Sequence, residues 1–253
     1  MLKLMKYEFK RSVTTLIILY AVIVALEGFS LYSMFAKNNI GTVISFSLLI
    51  LGGFAVMIFI FVMAIQSYSK ELSSKYSYMI FMTPNSTYKI IGSKLLTTGF
   101  VALVTTVVAC LLIVLDFNIF ISQFTDVRNA KESIEQALAY RGYNLGNLYL
   151  SILVYCIVIW IGIFMWISLA YFSITLSATA FSNKRFRGVL TFLIFIALGY
   201  AMSRLSSALP SVDIGTGLVN TLLTPLYSYI VDIVTIILAF LGSSLLLDKK
   251  VSL

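Results

Sequence analysis

The 253-residue chain is 60% hydrophobic and only 11% charged, with a mean hydropathy of +1.00; a soluble domain carries about 25% charged residues, so the composition is that of an integral membrane protein. The net charge of +8 comes from 18 Lys and Arg scattered between apolar runs, which argues against a nucleic-acid stripe and makes the charge a topology signal. No histidine is present, which removes Ser-His-Asp and Cys-His catalysis and His-ligated zinc.

Met1–Ser12 places Leu2, Met5 and Phe9 at helical spacing, with Lys3, Lys6 and Lys10 on another side. This pattern predicts a short amphipathic helix at the cytoplasmic interface, drawn to anionic lipid. The apolar run Val13–Phe35 is longer than the roughly 7–15 residues of a signal-peptide core and reads as a retained first span. Further runs follow at Thr42–Ile65, Leu95–Leu115, Leu148–Ser177, Val189–Leu205 and Leu226–Leu247. A helix needs about 20 residues to cross the hydrocarbon core, and only the fifth run is marginal. The expected fold is therefore all-α, a single polytopic domain over 1–253 with about six transmembrane helices.

The basic residues set the expected orientation. Lys3, Lys6, Lys10 and Arg11, then Lys70, Lys75, Lys89 and Lys94, then Lys184, Arg185 and Arg187, and finally Lys249 and Lys250 fall on one side, with Lys37, Arg128, Lys131, Arg141 and Arg204 on the other. Both termini are thus expected in the cytoplasm. The polar segment 67–94 interrupts the apolar pattern on that side. Read as a helix, it gathers Leu72, Tyr76, Met79 and Ile80 on one face. Pro84 then stops it, and Asn85 or Ser86 can cap a new helix. Of the outer connections, 116–147 is the longest, with Val127, Ile134 and Leu138 on one helical face; a short amphipathic helix and a plain solvated connector are both open. The segment 206–225, broken by Pro210, Gly215, Gly217 and Pro225, reads as a re-entrant hairpin or as a simple loop.

Four ionisable groups fall where charge is costly: Glu27 in the first span, Asp116 ending the third, Arg204 ending the fifth and Asp232 in the sixth. All are expected toward the outer half, as a polar patch inside the bundle with Arg204 pairing Glu27 or Asp232. That patch is either an exit vestibule or a set of interhelical ties. Gly52, Gly53, Ser173, Ser177, Gly242 and Ser243 are small enough for close helix packing. Cys110 and Cys156 read as small packing residues rather than a disulfide or a metal pair. Trp160 and Trp166 read as structural. The sequence holds no G-x-x-x-x-G-K-[ST] phosphate loop, so it carries no nucleotide site of that kind, no catalytic constellation and no metal set.

The basic stretch MLKLMKYEFKRS, the spacing of about six spans, the polar segment SKELSSKYSYMIFMTPNSTYKIIGSKLL and the tail DKKVSL together resemble the permease subunits of ATP-binding-cassette exporters of the type-2 class. The resemblance covers the whole length, with Glu71, Leu72, Pro84, Ser86 and Lys94 at matching positions; Tyr88-Lys89 stands where many relatives carry an arginine. It implies a coupling helix at Glu71–Met82, in which Glu71, Leu72, Lys75, Tyr76, Met79 and Pro84 meet a partner. It further implies separate ATPase subunits that hold ATP and Mg, and a second permease subunit. No cofactor is then expected on this chain, and the site is a multi-pass protein of the bacterial plasma membrane. An amphipathic or lipid-like cargo fits an apolar bundle. The rival readings are a gradient-driven transporter, a non-transporting membrane scaffold and, least supported, an intramembrane enzyme.

Overall fold

The computed structural model describes residues 2–73, 86–124, 136, 145–180, 187–211 and 218–251. Among these the chain is helical throughout: α1 (Leu2–Phe35), α2 (Asn39–Ser73), α3 (Thr87–Phe124), α4 (Leu145–Ala180), α5 (Arg187–Ala208), α6 (Leu218–Leu223) and α7 (Leu226–Val251). All but the short α6 are long and apolar enough to cross a membrane, giving six candidate spans.

The breaks follow the sequence chemistry. Pro210 and Pro225 lie between helices, because proline lacks the N–H that a helix interior needs; Pro84 lies outside the described residues. The carbonyls of Ser86 and Pro225 accept the first bonds of α3 and α7, so Ser86 opens the third span as its sequence position suggested. The α1–α2 turn has no proline. Lys37 adopts φ 52° there, while Asn38 N donates to Ser33 O and Lys37 N to Met34 O, the paired bonds of a Schellman stop. Asn38 Oδ1 then accepts from Gly41 N at 3.1 Å and caps α2.

Several expected boundaries shift. The basic stretch at the N-terminus is not a separate helix, since α1 runs unbroken for 34 residues and no helix breaker stands between Leu2 and Arg11. Asp116 does not end the third span; the apolar stretch continues to Ile119 and helix α3 runs on to Phe124. The candidate helix around Val127, Ile134 and Leu138 lies outside the described residues. Within 206–225, α5 ends at Ala208 and α6 occupies Leu218–Leu223, where it packs against α4 and its Leu222 O accepts from Tyr229 OH at 2.8 Å.

The bundle is built around α4, which packs most extensively against α7 and also against α2, α3, α5 and α6. Its approach is set by aromatic side chains laid on glycines of three neighbours. A Cβ on Gly99 of α3 would meet Phe164 at 2.5 Å, one on Gly199 of α5 would meet Trp166 at 2.8 Å, and one on Gly242 of α7 would meet Phe172 at 2.7 Å. Of the predicted small residues, Ser173, Ser177 and Ser243 are fully buried, together with Ser244. Ser173 and Ser243 bond carbonyls one turn back on their own helices, so burial leaves those hydroxyls satisfied while the backbones draw close. Gly52 sits under Leu26 of α1, whereas Gly53 has open space around it. Trp160 ties α4 to α3 by donating from Nε1 to Gly99 O at 2.9 Å.

One expectation is overturned. Cys110 of α3 and Cys156 of α4 form a disulfide, with Cα atoms 6.7 Å apart. The 46-residue separation concealed that α3 and α4 are packed neighbours that bring the two cysteines to one level. Alkylation of the unfolded, unreduced protein should therefore add no mass, and reduction beforehand should expose two reactive thiols. Replacing both cysteines with serine should cost about 2–4 kcal/mol of stability, measured by chemical unfolding in detergent.

Candidate functional site

Contacts between helix ends define two ends of the bundle. At one of them, the near end, lie the starts of α1, α3 and α5 and the ends of α2, α4 and α7. Lys94 is the focus there. Its Nζ donates to Glu8 Oε1 of α1 at 2.8 Å and to Glu71 Oε1 of α2 at 2.7 Å. Its side chain is only 4% exposed, against 16% for Glu8 and 15% for Glu71. Arg11 adds a bond to Glu71 at 3.2 Å, but with 51% exposure it belongs to the class of surface pairs worth about 0–1 kcal/mol. The Lys94 bonds differ in kind. A buried ammonium needs both carboxylates, and removing one partner of a buried pair costs about 3–5 kcal/mol.

Beneath this cluster the helices are joined by a dense core. The Tyr68 and Tyr171 rings stack with centroids 4.3 Å apart, and Tyr68 OH shares a 2.6 Å bond with Thr175 Oγ1. Ala64, Ile91, Leu95, Ile167, Ile174 and Leu247 pack around them. Thr87 Oγ1 donates to Asp248 Oδ1 at 2.8 Å, which fastens the start of α3 to the end of α7. A cavity bounded by Glu8, Lys94, Thr98 and Tyr171 has a volume of about 20 Å³, room for a water and no more. Around Lys94 the near end is therefore a joint between helices, with no chamber between the ammonium and its carboxylates.

The residues expected to meet a partner divide at this joint. Glu71 and Leu72 belong to the last turn of α2: Glu71 faces Lys94, and Leu72 packs against the core. Lys75, Tyr76, Met79 and Pro84 lie outside the described residues. The segment that holds them is thus rooted on both sides in the joint, at Glu71 and at Lys94.

At the opposite, far end, two of the four expected intramembrane charges come together. The carboxyl groups of Glu27 on α1 and Asp116 on α3 are neighbours, and both side chains are buried. Glu27 Oε2 and Asp116 Oδ1 have no partner among the described residues. The predicted pairing of Arg204 is not formed: among the described residues no ion pair links it to Glu27 or Asp232, and it lies exposed beside the Tyr200 ring, 6.0 Å from its centroid. Asp232 is half-buried on α7. The charges are placed by helix rotation: α5 turns Arg204 outward, whereas α1 and α3 turn their carboxyls toward each other. Nearby, Ser33 and Ser45 hydroxyls bond at 3.0 Å between α1 and α2.

Sequence reasoning missed Glu8 as a partner of Lys94. Its signal was a lone acid among the lysines of the first stretch. No family model, no curated protein and no solved structure matches this chain.

Lys94→Met would leave Glu8 and Glu71 facing each other without their cation. It should lower stability by about 3–5 kcal/mol, and Arg11→Gln by under about 1 kcal/mol. Unfolding in mixed micelles would read both.

Proposed function

We propose that this chain is the membrane-spanning permease subunit of an ATP-driven exporter of the ABC type-2 class, powered by separate ATPase subunits that carry ATP and Mg. The observation that carries the reading is the joint around Lys94. The polar segment 74–85 is anchored on one side at Glu71 and on the other at Lys94, and those two residues bond each other and, through Glu8, the first helix. A push on that segment is thereby delivered to α1, α2 and α3 together. This is what a protein without a phosphate loop of its own needs in order to be driven from outside.

In this reading the near end and both termini are cytoplasmic, as the distribution of lysine and arginine argues. Lys75, Tyr76, Met79 and Pro84 meet the ATPase, while Glu71 and Leu72 transmit the contact. A second permease subunit completes the pathway, and an amphipathic or lipid-like cargo leaves toward the far end of a protein seated in the bacterial plasma membrane. The segment before α7, including α6, dips into the outer leaflet as a hairpin.

A second reading rests on a different observation. The buried, neighbouring carboxyl groups of Glu27 and Asp116 are the kind of groups that a gradient-driven transporter loads and unloads with protons. Affinity purification from native membranes separates the two. The exporter reading expects an ATP-hydrolysing partner to co-purify, to be lost on Tyr76→Pro and to survive Glu27→Gln. A protein that purifies alone, and whose vesicle transport follows an imposed pH difference and fails in Glu27→Gln, would replace the exporter with the gradient-driven reading.

A further inference from the structure

The near end contains a second cavity that the joint does not use. It lies between the end of α2, the end of α4 and the start of α5, with a volume of about 190 Å³. Its walls differ in chemistry. Leu72 and Ile174 form an apolar side, while Arg187, Ser69 and Thr191 form a polar one. The guanidinium of Arg187 reaches Leu72 O at 3.5 Å, a long bond for a group with five donors. Among the described residues no carboxylate pairs with it, since Glu71 is committed to Lys94 and Arg11. Arg187 also opens the 22-residue helix α5, so the first backbone N–H groups of that helix add positive potential at the same place.

A half-buried cation beside a helix start and the Ser69 hydroxyl is suited to an anion with several acceptor oxygens, while the Thr191 hydroxyl is already bonded to Arg187 O and Ser177 Oγ. A phosphate meets that description, because an arginine fork can engage two of its oxygens at once. The surroundings point to the source of the phosphate. Val189, Phe192 and Leu193, in the first turns of α5, are 61%, 62% and 56% exposed, an apolar surface of the kind that faces lipid chains. A headgroup seated in the cavity would have its acyl chains beside that surface, at the edge of the bundle.

We infer that this cavity is a phosphate site, in which Arg187 and the start of α5 hold the headgroup phosphate of an anionic phospholipid, with Ser69 as a further hydrogen-bonding partner. Leu72 links this site to the joint, since it lines the cavity and is the neighbour of Glu71 in the last turn of α2. Lipid bound there would brace α2 against α5 at the root of the polar segment. The inference is independent of what drives the protein, and a failure of the exporter reading leaves it standing.

The test uses the full chain in neutral detergent, titrated separately with phosphatidylglycerol, phosphatidylcholine and inorganic phosphate. Phosphatidylglycerol should raise the melting temperature by several degrees, well beyond phosphatidylcholine. Arg187→Gln should lose most of that difference, and Arg187→Lys should keep part of it as a point charge. A Ser69→Cys variant offers a second readout that needs no loss of the arginine: phosphatidylglycerol should slow its maleimide labelling at least about threefold, while phosphatidylcholine should not. A shift produced by inorganic phosphate alone, and abolished in Arg187→Gln, would support the site and assign it to a free phosphate. Equal stabilisation of the native protein and Arg187→Gln by phosphatidylglycerol, or Ser69→Cys labelling indifferent to it, would overturn the proposal.

Discussion

One buried ammonium determines how the near end of this protein is built. Lys94 enters the third helix where an apolar run begins, and its charge can be held there only because α1 presents Glu8 and α2 presents Glu71 within 2.8 Å. In water such a pair contributes little, but at 4% exposure the lysine has almost no water to return to. Its two carboxylates become a requirement of the fold. The first three helices are consequently fixed relative to one another at this end, whatever happens to the chain between α2 and α3. The stacked tyrosines, the Tyr68–Thr175 bond and the Thr87–Asp248 bond extend that fixation to α4 and α7.

The far end is held differently. There the contacts are two neighbouring buried carboxyl groups, a pair of serine hydroxyls and a disulfide between α3 and α4. Helix α4 runs between the two regimes and carries the packing by placing large rings over glycines. The two ends are thus tied by different chemistry, ion pairs at the near end and buried carboxyls, hydroxyls and a disulfide at the far end. The lipid-facing cavity around Arg187 adds a third element, at the point where α5 leaves the joint.

The spans were legible because apolar length alone decides them; each of the six predicted runs lies inside one long helix. The start of α3 at Thr87 was also legible, since Pro84 and Ser86 act through local backbone chemistry. Helix ends on the far side were less so, because α3 continues past Asp116 to Phe124 without a helix breaker to mark the change. Pairings across helices were the least legible. Which face Arg204 or Glu27 presents depends on the rotation of each helix against its neighbours, and the sequence carries that only in the placement of small residues. Gly99, Gly199 and Gly242 show how it is encoded: each marks where a ring from α4 lands, which becomes evident once the neighbours are known. The Cys110–Cys156 bond belongs to the same class, a contact 46 residues apart that no local rule announces. Lys94 shows the reverse difficulty. By sequence it is one of thirteen basic residues on the expected cytoplasmic side, whereas at 4% exposure it is buried in the bundle.

The account stands on Lys94 binding α2 to α3 through Glu71 as a coupled pair, and a double-mutant cycle measures that coupling directly. Stability would be determined in detergent for the native protein, Glu71→Gln, Lys94→Met and the two together. A coupled buried pair predicts that the double variant is far less damaged than the sum of the singles, with an interaction energy of at least about 1.5 kcal/mol. Additivity within about 0.5 kcal/mol would show that the two side chains act independently, and the joint would lose its basis.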